Sequence, residues 1–184
     1  MILVLTAWVL GFDLLWALSS ADEGSLLYGL IDEPAHLATC GIALILVLLS
    51  GQILSRTFVL SALLASVAID LDHLPQHLGV ETITAGTPRP YVHCALAVIL
   101  LCVGGLVLPR GRPLMFGVAF GFAAHLARDV VTGPGVPLAL PFSESAFRLP
   151  YLLYGGALVV VAGACLASIM PGSLRSARPG AEQR

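Results

Sequence analysis

Long apolar runs broken by short polar stretches divide the chain into six hydrophobic segments, over residues 1–19, 36–51, 53–69, 92–108, 113–131 and 150–170. A helix crossing a bilayer needs about 20 residues at 1.5 Å rise. Several of these runs are shorter and reach that length only if the polar residues at one end are counted in, which sinks His and Asp side chains about one turn into the membrane. The pattern predicts an all-α fold: a polytopic membrane helical bundle of about six transmembrane helices. It forms a single domain over residues 1–170, followed by a polar Pro/Gly/Arg-rich tail at 171–184 that is expected to be disordered. Between the last two segments, Pro134, Pro137 and Pro141 exclude a regular helix. Residues 132–150 are therefore expected to form an irregular but apolar outer loop, a semi-rigid cover or substrate guide.

Composition supports the membrane assignment, with 58% hydrophobic residues and only 11% charged, where a soluble domain carries about a quarter. The net charge of −2 and the lack of any basic run exclude a nucleic-acid partner. All nine basic residues are Arg. With the N-terminus inside, Arg56, Arg110, Arg112, Arg175, Arg178 and Arg184 fall on the cytoplasmic side, against Arg89, Arg128 and Arg148 on the other. That bias follows the positive-inside rule and predicts a multi-pass cell (inner) membrane protein with both termini cytoplasmic. Tyr28, Tyr91 and Tyr151 then fall at the outer interface. The first segment lacks a positive n-region and is interrupted by Asp13, so it reads as a retained helix, not a leader cleaved near Ala21. Cys40, Cys94, Cys102 and Cys165 show no CxxC spacing and read as small residues in helix contacts; Cys94 stands out as the neighbour of His93.

The same up-and-down threading carries the ionisable residues to one end. His36 opens the second segment, Asp70, Asp72 and His73 close the third, His93 opens the fourth, and His125 and Asp129 lie near the end of the fifth. Ionisable groups at membrane depth are costly and mark functional sites by default. His with Asp is a common ligand set for zinc. His125 and Asp129 are four apart, on one helix face, as are Asp32 and His36, with Pro34 fitting the first turn of a helix that Asp32 caps. Asp70 and His73 share a face if their helix continues, leaving Asp72 to point elsewhere, toward a second metal or His77. Asp13 serves equally as a packing contact or a site residue, and Asp22 and Glu23 read as loop charges. Arg148 follows the outer loop, where a phosphate, a carboxylate or the interface itself could engage it.

Four stretches give the chain a family resemblance: Glu33-Pro34-Ala35-His36, Asp70-Leu71-Asp72-His73, Arg89-Pro90-Tyr91-Val92-His93, and His125 to Asp129 followed by Thr132-Gly133-Pro134-Gly135-Val136-Pro137-Leu138. In this order they resemble the YdjM-type family of inner-membrane metal-dependent hydrolases over roughly residues 30 to 150. That family is distantly similar to the zinc-dependent phospholipase C and P1 nuclease class. The resemblance implies a helical membrane protein with a His/Asp metal centre. Near the fourth helix the family reads His-Arg-Gly-x-Thr-His-Ser, whereas here Pro88 replaces the first His and Val92 the Thr, removing one potential ligand.

Together these features point to a membrane-bound metal-dependent hydrolase that uses a divalent metal, zinc foremost, to activate water. His36, Asp70, His73, His93, His125 and Asp129 are the expected metal ligands. Asp72 is the expected general base or bridging ligand, and Arg148 an anion-binding group. An outer-face site favours a phosphoester on a lipid or lipid-linked substrate. Two other classes compete: a structural membrane protein stapled by metal, and a transporter using the cluster as an ion relay. The absence of GxSxG, P-loop and HExxH motifs excludes serine hydrolases, NTPases and zincins.

Overall fold

The computed structural model describes residues 1–18, 26–73 and 91–169. The cleavage-site stretch near Ala21, the charges Asp22 and Glu23, His77, the Pro88 and Arg89 positions and the tail at 171–184 lie outside them. Among the described residues there are six α-helices: α1 (Ile2–Leu18), α2 (Leu26–Leu49), α3 (Arg56–Ala68), α4 (Ala95–Val107), α5 (Arg112–Thr132) and α6 (Tyr151–Ile169). A 3-10 turn, Ile69–His73, prolongs α3, and another, Pro109–Gly111, precedes α5. The all-α reading holds.

Among the described residues, three stretches are long and apolar enough to cross a membrane, Asp32–Leu49, Pro109–Thr132 and Tyr151–Ser168, while Ile2–Leu18 and Ala95–Val107 are shorter apolar helices. Hydrocarbon covers the outside of the bundle as well as its interior. Leu152, Leu153, Val159 and Val160 of α6 are exposed, as membrane solvation requires.

One boundary differs from expectation. The second helix starts at Leu26, well before Asp32, so Asp32 does not cap it and Pro34 lies inside it. The apolar run Leu26–Ile31 continues the helix through the polar Asp32-Glu33 pair. Proline inside a helix removes one N–H, a defect that membrane helices tolerate when neighbours satisfy the freed carbonyl. α3 starts conventionally: Ser55 is its N-cap, and the Ser55 hydroxyl accepts from the Phe58 amide at 3.1 Å.

The closest helix approach is that of α3 to α5. A Cβ on Gly117 would lie 1.9 Å from Ser61 Oγ and 2.5 Å from the Phe58 carbonyl oxygen, and one on Gly121 would lie 2.2 Å from the Ala62 carbonyl oxygen. Only hydrogen fits at either position. The pair is a small-xxx-small face that lets two backbones touch. His125 and Asp129 continue that face at four-residue spacing, so the contact that seats α5 on α3 also aims the site residues.

Residues 133–150 are irregular and firmly tethered. Val136 and Phe147 exchange backbone hydrogen bonds at 3.0 and 2.8 Å, Ala95 N donates to the Leu138 carbonyl at 3.0 Å, and Leu149 N donates to the Val130 carbonyl at 2.8 Å. Val136 is buried with Ile69, Leu126, Val130 and Val131. Gly135 turns the chain at φ 103°, and a Cβ there would stand 2.9 Å from the Phe147 carbonyl oxygen. All four cysteines are free; Cys40 is packed in the core against α3, where its Sγ donates to the Ala62 carbonyl at 3.6 Å. Replacing Gly121 by Leu is expected to wedge α3 from α5 and cost about 3 kcal/mol. A fall in thermal midpoint in detergent checks this, against an exposed α6 control such as Val160→Leu that leaves the midpoint unchanged.

Candidate metal centre

Four pieces of chain meet at one end of the bundle. α2 brings Asp32, Glu33 and His36, the 3-10 turn brings Asp70, Asp72 and His73, His93 stands just before α4, and α5 brings His125, Arg128 and Asp129. The structure thus brings together His36, Asp70, Asp72, His73, His93, His125 and Asp129. They form two adjoining groups whose donor atoms lie within 4.8 Å of one another: Asp70, Asp72, His73 and His93 in one, His36, His125 and Asp129 in the other.

In the first group, the three-residue period of the 3-10 turn puts Asp70 and His73 on one edge, with His73 Nε2 3.7 Å from Asp70 Oδ1. Asp72, off that edge, still reaches the cluster: its Oδ2 lies 3.2 Å from His93 Nδ1, while His93 Nε2 lies 2.9 Å from Asp70 Oδ1. His93 therefore sits between two carboxylates.

The second group is deeper, and His36, His125 and Asp129 are fully buried. His125 Nδ1 lies 2.8 Å from the Ser66 carbonyl, which can only accept, so this nitrogen carries the hydrogen. The lone pair of the neutral ring is then on Nε2, which faces Asp70 Oδ1 and Asp129 Oδ2, each at 3.2 Å. Nε2 is buried and makes no hydrogen bond. Three electron-rich atoms facing one another need a cation between them, either a proton or a metal. His36 stacks on His125 with ring centroids 3.7 Å apart at 13°, and its Nε2 lies 3.5 Å from Asp129 Oδ1. The donor set, imidazoles held by outer partners together with carboxylates, could hold a metal ion.

Sequence reasoning did not assign Arg128 a role. Its side chain is 1% exposed and its guanidinium pairs with both Asp32 and Asp13. Asp32 in turn reaches His36 Nε2 at 3.2 Å, and the Tyr151 hydroxyl donates to Asp13 Oδ2 at 2.7 Å. One ion network so joins α1, α2, α5 and α6 and props the His36 side of the cluster. The overlooked signal was two acidic residues in apolar segments, Asp13 and Asp32, with no cation assigned to them. Glu33 was also passed over: its Oε2 is buried without a hydrogen-bond partner. Arg148 lies outside both groups, exposed on the loop before α6.

The sequence profile described as YdjM inner membrane protein matches residues 32–181. The chain is also 32% identical over 105 residues to the Escherichia coli (strain K12) protein named Inner membrane protein YdjM, an alignment covering 50% of this chain and 53% of that one. A Shigella flexneri protein of the same name matches to the same extent. The chain thus spans about half the length of the curated relatives it matches. No solved structure matches.

Arg128→Met leaves two buried carboxylates without their cation and is expected to cost about 3–5 kcal/mol. Thermal unfolding in detergent reads the loss, and adding Asp13→Asn to Arg128→Met should recover part of it. A variant as stable as wild type would show that the network is not needed.

Proposed function

The chain belongs to the YdjM inner membrane protein family, and from that premise we propose that it is a membrane-embedded metal-dependent hydrolase of lipid or lipid-linked phosphoesters. The observation that carries this reading is the Ser66–His125 hydrogen bond, which turns a buried imidazole lone pair onto two carboxylates. A divalent cation, zinc by donor type, supplies Lewis acidity that polarises a phosphoryl oxygen and acidifies water. Asp70, His93, His125 and Asp129 would hold it, with His36 and His73 flanking them. The Ser66 carbonyl, Asp32 and Asp72 fix the rings of His125, His36 and His93.

Access distinguishes a reactive centre from a staple. The side chains of Asp70, Asp72 and His73 are 22%, 14% and 21% exposed, while those of His36, His93 and His125 are fully buried. The cluster thus has a closed inner side and an open edge, as a centre that exchanges substrate requires. Asp72, on that edge, is the group we assign to take a proton from water. Arg148 is assigned to the substrate's anionic group, not to the reacting atoms. The arginine distribution supports an orientation with both termini in the cytoplasm, which would bring the cluster to the outer face, within reach of lipid head groups.

The test is hydrolysis of phosphomonoester and phosphodiester lipids by the purified, zinc-supplied protein in detergent. Wild type is expected to turn over at least one class, Asp72→Asn to lose about 10²–10⁴-fold, and His125→Ala to lose all turnover while remaining helical. Wild-type protein inert on every ester, with zinc bound, would sink the reading.

A further inference from the structure

The two groups differ in depth and share their carboxylates. The deep group is His36, His125 and Asp129, none more than 1% exposed at its side chain; the shallow one is Asp70, Asp72, His73 and His93, with Asp70 and His73 reaching solvent. Asp70 Oδ1 stands between an imidazole of each group, 2.9 Å from His93 Nε2 and 3.2 Å from His125 Nε2. Asp129 Oδ2 does the same from the other side, 3.2 Å from His125 Nε2 and 3.9 Å from His93 Nε2. The other oxygen of Asp129, Oδ1, faces His36 Nε2 at 3.5 Å. Two carboxylates each spanning two imidazoles are what paired metal sites use to hold two cations a few ångströms apart.

Charge favours a second cation too. Asp70, Asp72 and Asp129 crowd the cluster, and the buried Arg128 guanidinium is already shared by Asp13 and Asp32. One divalent ion leaves carboxylate charge over in a site sealed from water on its inner side, where such charge is costly. Buried His125 Nε2, without a hydrogen-bond partner and 3.2 Å from both Asp70 Oδ1 and Asp129 Oδ2, marks the deep position as built for a ligand.

We propose that the centre holds two divalent cations: a deep one on His36, His125 and Asp129, and a shallow one on Asp70, His73 and His93, with Asp70 and Asp129 shared between them. This rests on the metal reading above and gives the two ions different tasks. A deep ion, closed off by α2 and α5, would hold the helices and the shared carboxylates in place. The shallow ion would lie at the open edge beside Asp72, where water and a phosphoryl oxygen have access. The Pro88 and Val92 replacements leave these seven residues untouched.

Zinc alone is the probe, and full-length protein in detergent the sample. Elemental mass spectrometry after zinc loading and desalting is expected to find two zinc per chain in wild type and one in each of His73→Ala and His36→Ala. Mixing wild type with a chelator should release zinc in two phases of equal amplitude, the slow one absent in His36→Ala. The chelator experiment on wild type stands even if a variant fails to fold. One zinc per wild-type chain, released in a single phase and lost in both variants, overturns the two-ion inference and leaves the hydrolase reading standing. No zinc in protein of native helical content overturns both.

Discussion

Arg128 is a full positive charge buried inside a hydrocarbon bundle, and much of the arrangement around it follows from that. An isolated buried ion costs many kcal/mol, so the guanidinium is tolerable only with anions on its donors. Asp13 from α1 and Asp32 from α2 supply them, and Tyr151 from α6 completes the shell of Asp13. Three helices are thereby fixed relative to α5 by a requirement of charge, which is directional, instead of by apolar contact, which in lipid discriminates poorly between helix neighbours. The pairing carries over to the site, because the Asp32 that faces Arg128 through Oδ1 faces His36 through Oδ2. A carboxylate held at both oxygens cannot swing, so neither can the imidazole it supports.

A second constraint comes from α3. Gly117 and Gly121 bring the two backbones into contact, and further along the same face that closeness puts the Ser66 carbonyl on His125. Packing so decides chemistry: with Nδ1 committed to a carbonyl, Nε2 is left to ligate. A larger residue at either glycine would move His125 away from its partner with no change to the cluster itself.

The helices were legible because apolar runs in a membrane chain have few alternatives, and the meeting of His36, Asp70, His93, His125 and Asp129 was legible because up-and-down threading is the simplest path for six short segments. What escaped was pairwise. Arg128 looked like a residue near a helix end, since counting arginines by loop says nothing of which carboxylate each one meets. Asp32 looked like a cap because Pro34 follows it, yet the apolar stretch ahead of it extends the helix. Asp72 was expected to point away from the face of Asp70 and His73, and it does leave that edge. It still reaches the cluster because His93 offers a second nitrogen on its far side. Which nitrogen of a ring meets which oxygen is set by three-dimensional packing and leaves no trace in spacing.

The distribution of polarity along the bundle bears on what kind of machine this is. A relay that moves ions across a membrane needs polar groups through the midplane or beyond. Among the described residues, the ionisable side chains in the interior lie toward one end, where α3 runs into its 3-10 turn and α4 begins. Away from it the buried side chains include Ile42, Leu44, Ala62 and Ala119, and the polar ones are uncharged: Thr6, and Ser61 hydrogen-bonded to the Phe58 carbonyl of its own helix. An ion entering the cluster would meet hydrocarbon one or two turns further in. Such a dead end suits a centre that holds its cation and works on what comes to the open edge.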